Sequence, residues 1–395
     1  MQRRARYVAV TCITLLTLVA LYRKYAPLLD PYGSSEDSLV SLPDYAPESG
    51  SPSTRESSMG PLHPPAMSGD SGCGNISSSE RRANATFIML ARNSDLKGAL
   101  LSVRQLEDRF NRRYGYPYVF LNEEEFSEDF KRRIRVLTPS RVEFGVIPRE
   151  HWFQPDWIDA GKANAEMGRM EQMNVKYGGN LAYHNMCRYN SGFFFQHPLV
   201  LKYKWYWRVE PSVKFHCDIA RDPFLFMEEN DKVYGFTLAV YEIPATIRSL
   251  WTHVKEFMAR HPEHIHAEDN ALGFISDDDG RSYNRCHFWS NFEIASLDFW
   301  RGAAYTDFFA HLDAAGGFYY ERWGDAPVHS IAAALLLRKD QIHLFEDIGY
   351  QHDDWSHCPR THEMWEAGRC LCDSGNSFDY SPDSCRPKWD ALVGA

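Results

Sequence analysis

Four places in this chain set a carboxylate or an imidazole among aromatic residues, where chemistry could be done. The first is Trp205-Tyr206-Trp207-Arg208-Val209-Glu210-Pro211-Ser212-Val213-Lys214-Phe215, an aromatic, β-prone run that ends on an acid. Pro211 stops the strand, so the Glu210 carboxylate stands at the carboxyl edge of a sheet, where open α/β folds bind ligands. A hard cation bridging two phosphates needs oxygen ligands of this kind, although a surface acid after a strand looks the same. The second is Cys286-His287-Phe288-Trp289-Ser290-Asn291-Phe292-Glu293. An acid desolvated by aromatic neighbours shifts its pKa and suits acid-base or nucleophilic work; equally, it is a structural acid satisfied by hydrogen bonds. The third is the run from Phe318 to His329, in which Gly324 allows a tight turn and Asp325 stands where it would cap a helix beginning at Ala326. The fourth runs from Glu346 to Asp354 and holds His352, an imidazole suited to Mn, Fe or Zn as a ligand, or simply solvated.

The elements that must position these groups can be read from spacing. Thr86 to Leu90 is a short apolar run of the buried-strand type. Asn93, Ser94 and Asp95 then offer N-caps to a helix whose apolar positions are Leu96, Leu100, Val103, Leu106 and Phe110. A strand at Tyr118 to Leu121 and a helix at Ser127 to Val136 follow, and this alternation opens an α/β nucleotide-binding unit. Further along, the pattern predicts helices over 166–177, 246–259 and 326–337, and strands over 203–209, 233–240 and 342–345. The expectation is an α/β domain over residues 82–395 around a mixed, mostly parallel sheet.

Composition bounds the rest. The 395 residues are 44% hydrophobic and 14% aromatic, enough for a sizeable core, and carry a formal net charge of -10. That balance excludes a general nucleic-acid binder, which needs a basic face. It leaves room for a phosphate-bearing small molecule held by local donors and a metal. Arg3, Arg4 and Arg6 precede an apolar run over 7–22, with Arg23 and Lys24 after it. A signal peptide would need a small-residue cleavage site there, so the run reads as an uncleaved transmembrane anchor with a cytoplasmic tail at 1–6. The Ser-, Pro- and Gly-rich stretch 23–81 reads as a flexible lumenal stem. Sequons at Asn75 and Asn84, and Cys358, Cys370, Cys372 and Cys385 in a spacing unlike a zinc site, point to an oxidising lumen with disulfides. Asn84 abuts a strand, which makes Asn75 the better glycan site.

Taken together, these segments resemble the fungal glycolipid 2-alpha-mannosyltransferase family of Golgi enzymes (glycosyltransferase family 15). The resemblance rests on the stretches from Tyr183 to Phe194 and from Trp205 to Phe215, on Cys217-Asp218-Ile219, Asp222-Pro223-Phe224 and Lys232-Val233-Tyr234-Gly235-Phe236, and on those from His287 to Glu293, Glu321 to His329 and Phe345 to Tyr350. They occur in the family's order between about Ala85 and about Cys385. The likeness implies a GT-A-like nucleotide-sugar transferase fold. It also implies GDP-mannose as donor, Mn2+ as cofactor, a mannose-containing glycan acceptor and retention of anomeric configuration, with α-1,2 as the expected linkage. It implies metal ligation by Glu210 and His352, catalytic roles for Glu293 (as nucleophile) and Asp325, and donor contacts from Arg92, Tyr183, Arg188 and Ser191. It implies a single-pass type II protein of the Golgi membrane. Two positions depart from the family pattern: Ser212 stands where an acid often follows the proline, and Gln351 where a second histidine is common. A catalytically inactive mannoside-binding protein on the same fold is the alternative, and the joint presence of Glu210, Glu293, Asp325 and His352 argues against it. The same acids argue against a glycosidase, because they match transferase motifs.

Overall fold

The computed structural model describes residues 81–394. The expected anchor (7–22), the Asn75 sequon and all of the expected stem except Arg81 lie outside them. No helix among the described residues is long and apolar enough to cross a membrane.

A seven-stranded sheet organises the chain. Its spatial order is Ile342–Leu344, Tyr234–Phe236, Phe292–Ser296, Trp205–Val209, Ala85–Leu90, Tyr118–Asn122, Val142–Val146. Phe292–Ser296 is antiparallel to both of its neighbours, while every other pairing is parallel. The mixed, mostly parallel sheet expected from sequence is therefore present. Because helices cover both faces, the strands are apolar almost throughout. Alternation still sorts their side chains: Phe87, Met89, Trp205, Trp207, Val209, Phe292 and Ile294 pack into one core, and Ile88, Tyr206 and Ala295 into the other.

The helices begin where their caps stand. Ser127 accepts the Phe130 backbone N–H at 3.2 Å and opens Glu128–Leu137. Asn180 accepts the Tyr183 N–H at 3.2 Å and opens Leu181–Gly192. The helix expected from Leu96 to Phe110 is regular only to Leu106, then widens into a π-turn over Glu107–Asn111. There Glu107, buried, accepts bonds from Asn111, Tyr118 and Thr138.

Three expectations need correction. The helix expected over 166–177 is Ala160–Gln172, because Asp159 caps it upstream and the chain turns through Asn174 and Tyr177 at positive φ. The strand expected over 233–240 is two strands in two sheets: Tyr234–Phe236 in the large sheet, and Ala239–Tyr241 paired with Cys286–Phe288. The helix expected over 246–259 starts only at Leu250, after a turn of 3-10 helix at Pro244–Thr246.

A small sheet completes the architecture. Tyr350–His352 pairs with Trp355–His357 on one side and with Lys214–Phe215 on the other. Disulfides Cys217–Cys370 and Cys286–Cys385 bind the C-terminal segment to the body and Cys358–Cys372 closes a loop within it, in line with the disulfides expected from sequence. Cys187 is buried and free.

Candidate active site

A cleft of about 560 Å³ opens at the carboxyl edge of the large sheet, within the usual range for a small-ligand site. The strand topology explains its lining. Arg92 and Asp95 follow the strand Ala85–Leu90, and Glu210 follows Trp205–Val209. The antiparallel strand Phe292–Ser296 enters from this same edge, so it is the residues before it, Trp289, Ser290 and Asn291, that face the cleft. The helix Asp325–Leu336 brings Asp325 and the small sheet brings His352. Glu210, Asp325, His352, Arg92 and Tyr183, from five separate segments, thus share one cleft.

Glu210 is fixed from two sides. Its backbone carbonyl accepts the Ser102 hydroxyl at 2.8 Å, and its Oε1 accepts Arg208 Nε at 2.6 Å. Beyond Pro211, Ser212 adopts a φ of 68° and donates its N–H to the Gly98 carbonyl at 3.0 Å. A Cβ on Gly98 would stand 2.5 Å from Ser212 Oγ and 3.0 Å from Pro211 Cβ, so only glycine lets the helix approach this loop so closely. Ser212 is turned to this contact and does not line the cleft, consistent with its departure from the family pattern.

His352 and Gln351 alternate along their strand. Gln351 faces His216, whose Nε2 lies 3.1 Å from Gln351 Oε1, whereas His352 lines the cleft. Asn291 Nδ2 lies 2.8 Å from His352 Nδ1. With that amide turned so that its oxygen faces the ring, Nδ1–H donates to Asn291 and Nε2 keeps a lone pair for a metal. A carboxylate and an imidazole are a donor set that would suit Mn2+.

Asp325 does not cap its helix. Gly324 occupies the N-cap position, and the Asp325 carboxylate instead accepts bonds from Arg208 and from Ser290 Oγ at 3.0 Å. Burial alone would raise its pKa; the charges of Arg208 and His329, with the hydrogen bonds from Arg208 and Ser290, hold it below the usual carboxylate range. Arg208 is therefore the hinge of the site, a half-buried guanidinium bridging Glu210 and Asp325. Sequence reasoning passed over it. The available signal was its position two residues before Glu210 in a strand, which puts its side chain on the face shared with Tyr206.

Glu293 is placed differently from the expectation. It pairs in register with Arg208, but its side chain is fully buried behind the cleft. Oε1 accepts Tyr206 Oη, and Oε2 accepts Tyr234 Oη at 2.8 Å and lies 2.9 Å from His329 Nδ1. His329 Nε2 faces the Asn190 carbonyl at 3.0 Å, so His329 meets an acceptor on each nitrogen and a proton must lie between Nδ1 and Glu293. Burial, then the Glu293 charge and hydrogen bond, push both tyrosines well above their ordinary range and keep them as donors. Glu293 does not line the cleft.

Arg188 and Ser191, expected as donor contacts, are also outside the cleft. Arg188 forms a bidentate pair with Asp313 at 2.7 and 2.8 Å, beneath Phe193. Ser191 donates to the Cys187 carbonyl at 2.7 Å inside its own helix. Both sit on the part of Leu181–Gly192 that packs into the core, whereas Tyr183, near the helix start, reaches the cleft. Tyr183 stacks on Tyr177 with ring centres 4.5 Å apart, and Arg322 lies over its ring at 5.3 Å. Its phenol is pushed well above the ordinary range, chiefly by burial, then by Cys187, with Arg322 pulling the other way. Arg322 pairs with Glu242 at 3.3 Å, and its Nε is buried with no hydrogen-bond partner among the described residues. Neither was anticipated as a site residue; both lie in or beside segments that read as turns.

The profile of the glycolipid 2-alpha-mannosyltransferase family matches residues 54–393. The chain is 49% identical over 313 residues to glycolipid 2-alpha-mannosyltransferase 2 of Candida albicans, covering 79% of this chain and 68% of that protein. It is 50% identical over 308 residues to alpha-1,2 mannosyltransferase KTR1 of Saccharomyces cerevisiae, covering 78% of each. Among solved structures, core-mannan synthase A of Aspergillus fumigatus in its Mn/GDP form superposes with a TM-score of 0.75 at 39% identity, covering 80% of this chain and 87% of that one.

Proposed function

The chain belongs to the glycolipid 2-alpha-mannosyltransferase family, and from that premise we propose that it transfers mannose from GDP-mannose to a mannose-containing acceptor, in α-1,2 linkage and with Mn2+. The observation that carries this reading is the convergence of Glu210 and His352 on one cleft beside Asp325 and Arg92. Glu210 and His352 would hold the metal, which when bound neutralises the charge that develops on the departing diphosphate. Arg208 keeps Glu210 and Asp325 in register, so the carboxylates are oriented before any ligand arrives. Arg92, at the cleft and half exposed, pairs with Glu123 at 3.7 Å and would exchange that partner for phosphate. Tyr183, held as a neutral phenol under Arg322, offers a donor to a sugar hydroxyl.

Retention by double displacement requires a carboxylate free to attack the sugar carbon. Glu293 is fully buried, held by Tyr206, Tyr234 and His329, and does not line the cleft, which favours a same-face route. In that route the acceptor oxygen bonds to the anomeric carbon as the bond to phosphate breaks, and the acceptor proton passes to the departing phosphate. Glu293 then acts by positioning Tyr206, Tyr234 and His329 behind Arg208.

The test is incubation of the full chain with GDP-mannose, Mn2+ and methyl α-mannoside, with the product linkage read by NMR. An α-1,2 disaccharide formed only with metal is expected. GDP binding without transfer would overturn catalysis and leave a mannoside-binding protein.

The residues beyond the described body support a Golgi placement with the cleft in the lumen. Arg3, Arg4 and Arg6 resist translocation ahead of the apolar run 7–22, and the three disulfides need an oxidising compartment. Protease added to sealed Golgi vesicles should spare the bulk of the chain until detergent is present; digestion before detergent would reverse the topology.

A further inference from the structure

Away from the cleft, the helices Leu250–Arg260 and Ala303–Ala315 pack against each other and bring two imidazoles to one carboxylate. His253 and Glu256, three residues apart, share a helix face, and His253 Nδ1 lies 3.4 Å from Glu256 Oε2. His311 comes from the other helix, its Nε2 3.9 Å from the same oxygen. One ligand atom from each of the three residues falls within 4.8 Å of the others. A tetrahedral ion with ~2.0–2.1 Å bonds holds its donors roughly 3.3 Å apart. The His253–Glu256 edge already has that length, the His311–Glu256 edge needs to close by about half an ångström, and the edge between the two imidazoles, within 4.8 Å, closes as the His311 ring turns in. The two rings are inclined at 62°, so they can point to a common centre. Glu256 is 44% exposed, which leaves the fourth position open to water.

From this geometry we propose that His253, Glu256 and His311 form a second metal site, for a divalent ion of the zinc class, that clamps the two helices together. Two imidazoles and one carboxylate rank zinc well above manganese. His311 Nε2 now lies 2.9 Å from the His253 carbonyl, so loading requires the ring to turn off that carbonyl and its proton to move to Nδ1. A neighbouring trio, His261, Glu263 and His264, also gathers its ligand atoms. Its imidazoles stack at 11°, face to face, and His264 is already engaged by Asp307 at 2.9 Å, so it converges less well.

The test is calorimetric titration of Zn2+ into the chelator-treated full chain in detergent, repeated with the donor site filled by Mn2+ and GDP. One zinc-binding event is expected in both conditions and in the Glu210→Gln/His352→Ala variant. Glu256→Gln and His311→Asn should weaken it at least tenfold, while His261→Asn leaves it unchanged. Co2+ in place of Zn2+ should give the visible absorption of a tetrahedral N/O site. Glu256→Gln is at a half-exposed position, so its metal-free melting temperature and its mannosyl transfer should match the unaltered protein and keep the result readable. A zinc event that survives both Glu256→Gln and His311→Asn, that disappears when Mn2+ and GDP are bound, or that is lost only in His261→Asn would overturn the assignment.

Discussion

Arg208 and Glu293 face each other across two strands and divide the work of the site between orientation and support. Arg208→Lys keeps a charge but loses the fork that reaches Glu210 and Asp325 together. We expect kcat/KM to fall at least ~30-fold, equivalent to about 2 kcal/mol of transition-state stabilisation, with the melting temperature much less affected. Steady-state kinetics beside a thermal melt checks this. Glu293→Gln replaces one of two acceptor oxygens with a donor, so the buried network of Tyr206, Tyr234 and His329 must rearrange and loses a strong acceptor. The expected outcome is a loss of about 2 kcal/mol or more in unfolding free energy together with activity, measured by denaturant titration. Turnover lost with stability unchanged would return Glu293 to the role of attacking group. From sequence, a desolvated nucleophile and a satisfied structural acid were equally open readings of Glu293. What separates them is the phenols of Tyr206 and Tyr234 and the ring of His329, which only the fold brings within reach.

At the scale of elements, the loop proposed to hold metal depends on one close approach. Gly98→Ala would push a Cβ onto Ser212 and Pro211, so the loop carrying Glu210 must shift. Weaker Mn2+-dependent GDP binding is expected with the rest of the fold retained, and calorimetry of GDP with and without Mn2+ reads it. The hairpin carrying His352 depends on a buried pair, His357 Nδ1 and Asp379 Oδ2 at 2.6 Å. Burial works against the charged imidazole of His357, but Asp379 and Glu346 raise its pKa above the ordinary 6.5. Burial likewise works against the Asp379 carboxylate, but His357 and Arg386 lower its pKa below the ordinary 3.8. The histidine contribution is full below 6.5 and fades as pH rises through the shifted value; the aspartate contribution is full above 3.8 and fades in acid. The stability gap between the unaltered chain and Asp379→Asn should therefore be wider at about pH 6 than at about pH 8.5, as measured by thermal melts at both. Much of this scale was legible in the sequence: the strand ending at Glu210, the capped helix after Ser127 and the helix after Gly324 all follow local rules. The turn that separates Tyr234–Phe236 from Ala239–Tyr241 was not, because Thr237 is itself a good strand residue and the run around it carries no proline or turn pair to mark a change of sheet. Arg188 and Ser191 failed for a related reason: both lie in a stretch matching the family, and a matching stretch contains packing residues beside ligands.

At the scale of the whole molecule, the C-terminal segment closes the site from a distance. Cys217, seven residues beyond Glu210, is joined to Cys370, and Cys358 to Cys372, so the segments carrying Glu210 and His352 are tied to the same clasp. Mild reduction should therefore abolish Mn2+-dependent GDP binding at lower temperature than it melts the large sheet, seen by comparing calorimetry with far-UV circular dichroism. Loss of both at one temperature would show that the clasp and the sheet form a single cooperative unit. Cysteine usage announced that disulfides exist, but their pairing depends on the three-dimensional path and was not legible. The antiparallel strand in the middle of the sheet carries a consequence for biosynthesis. Phe292–Ser296 fills the gap between Trp205–Val209 and Tyr234–Phe236, yet it follows the former by 82 intervening residues. At ~5–20 residues per second, a ribosome needs roughly 4–16 s to deliver them. Through that interval the nascent chain presents an unpaired, aromatic strand edge, and a lumenal chaperone that shields Trp205–Val209 would have that long in which to act.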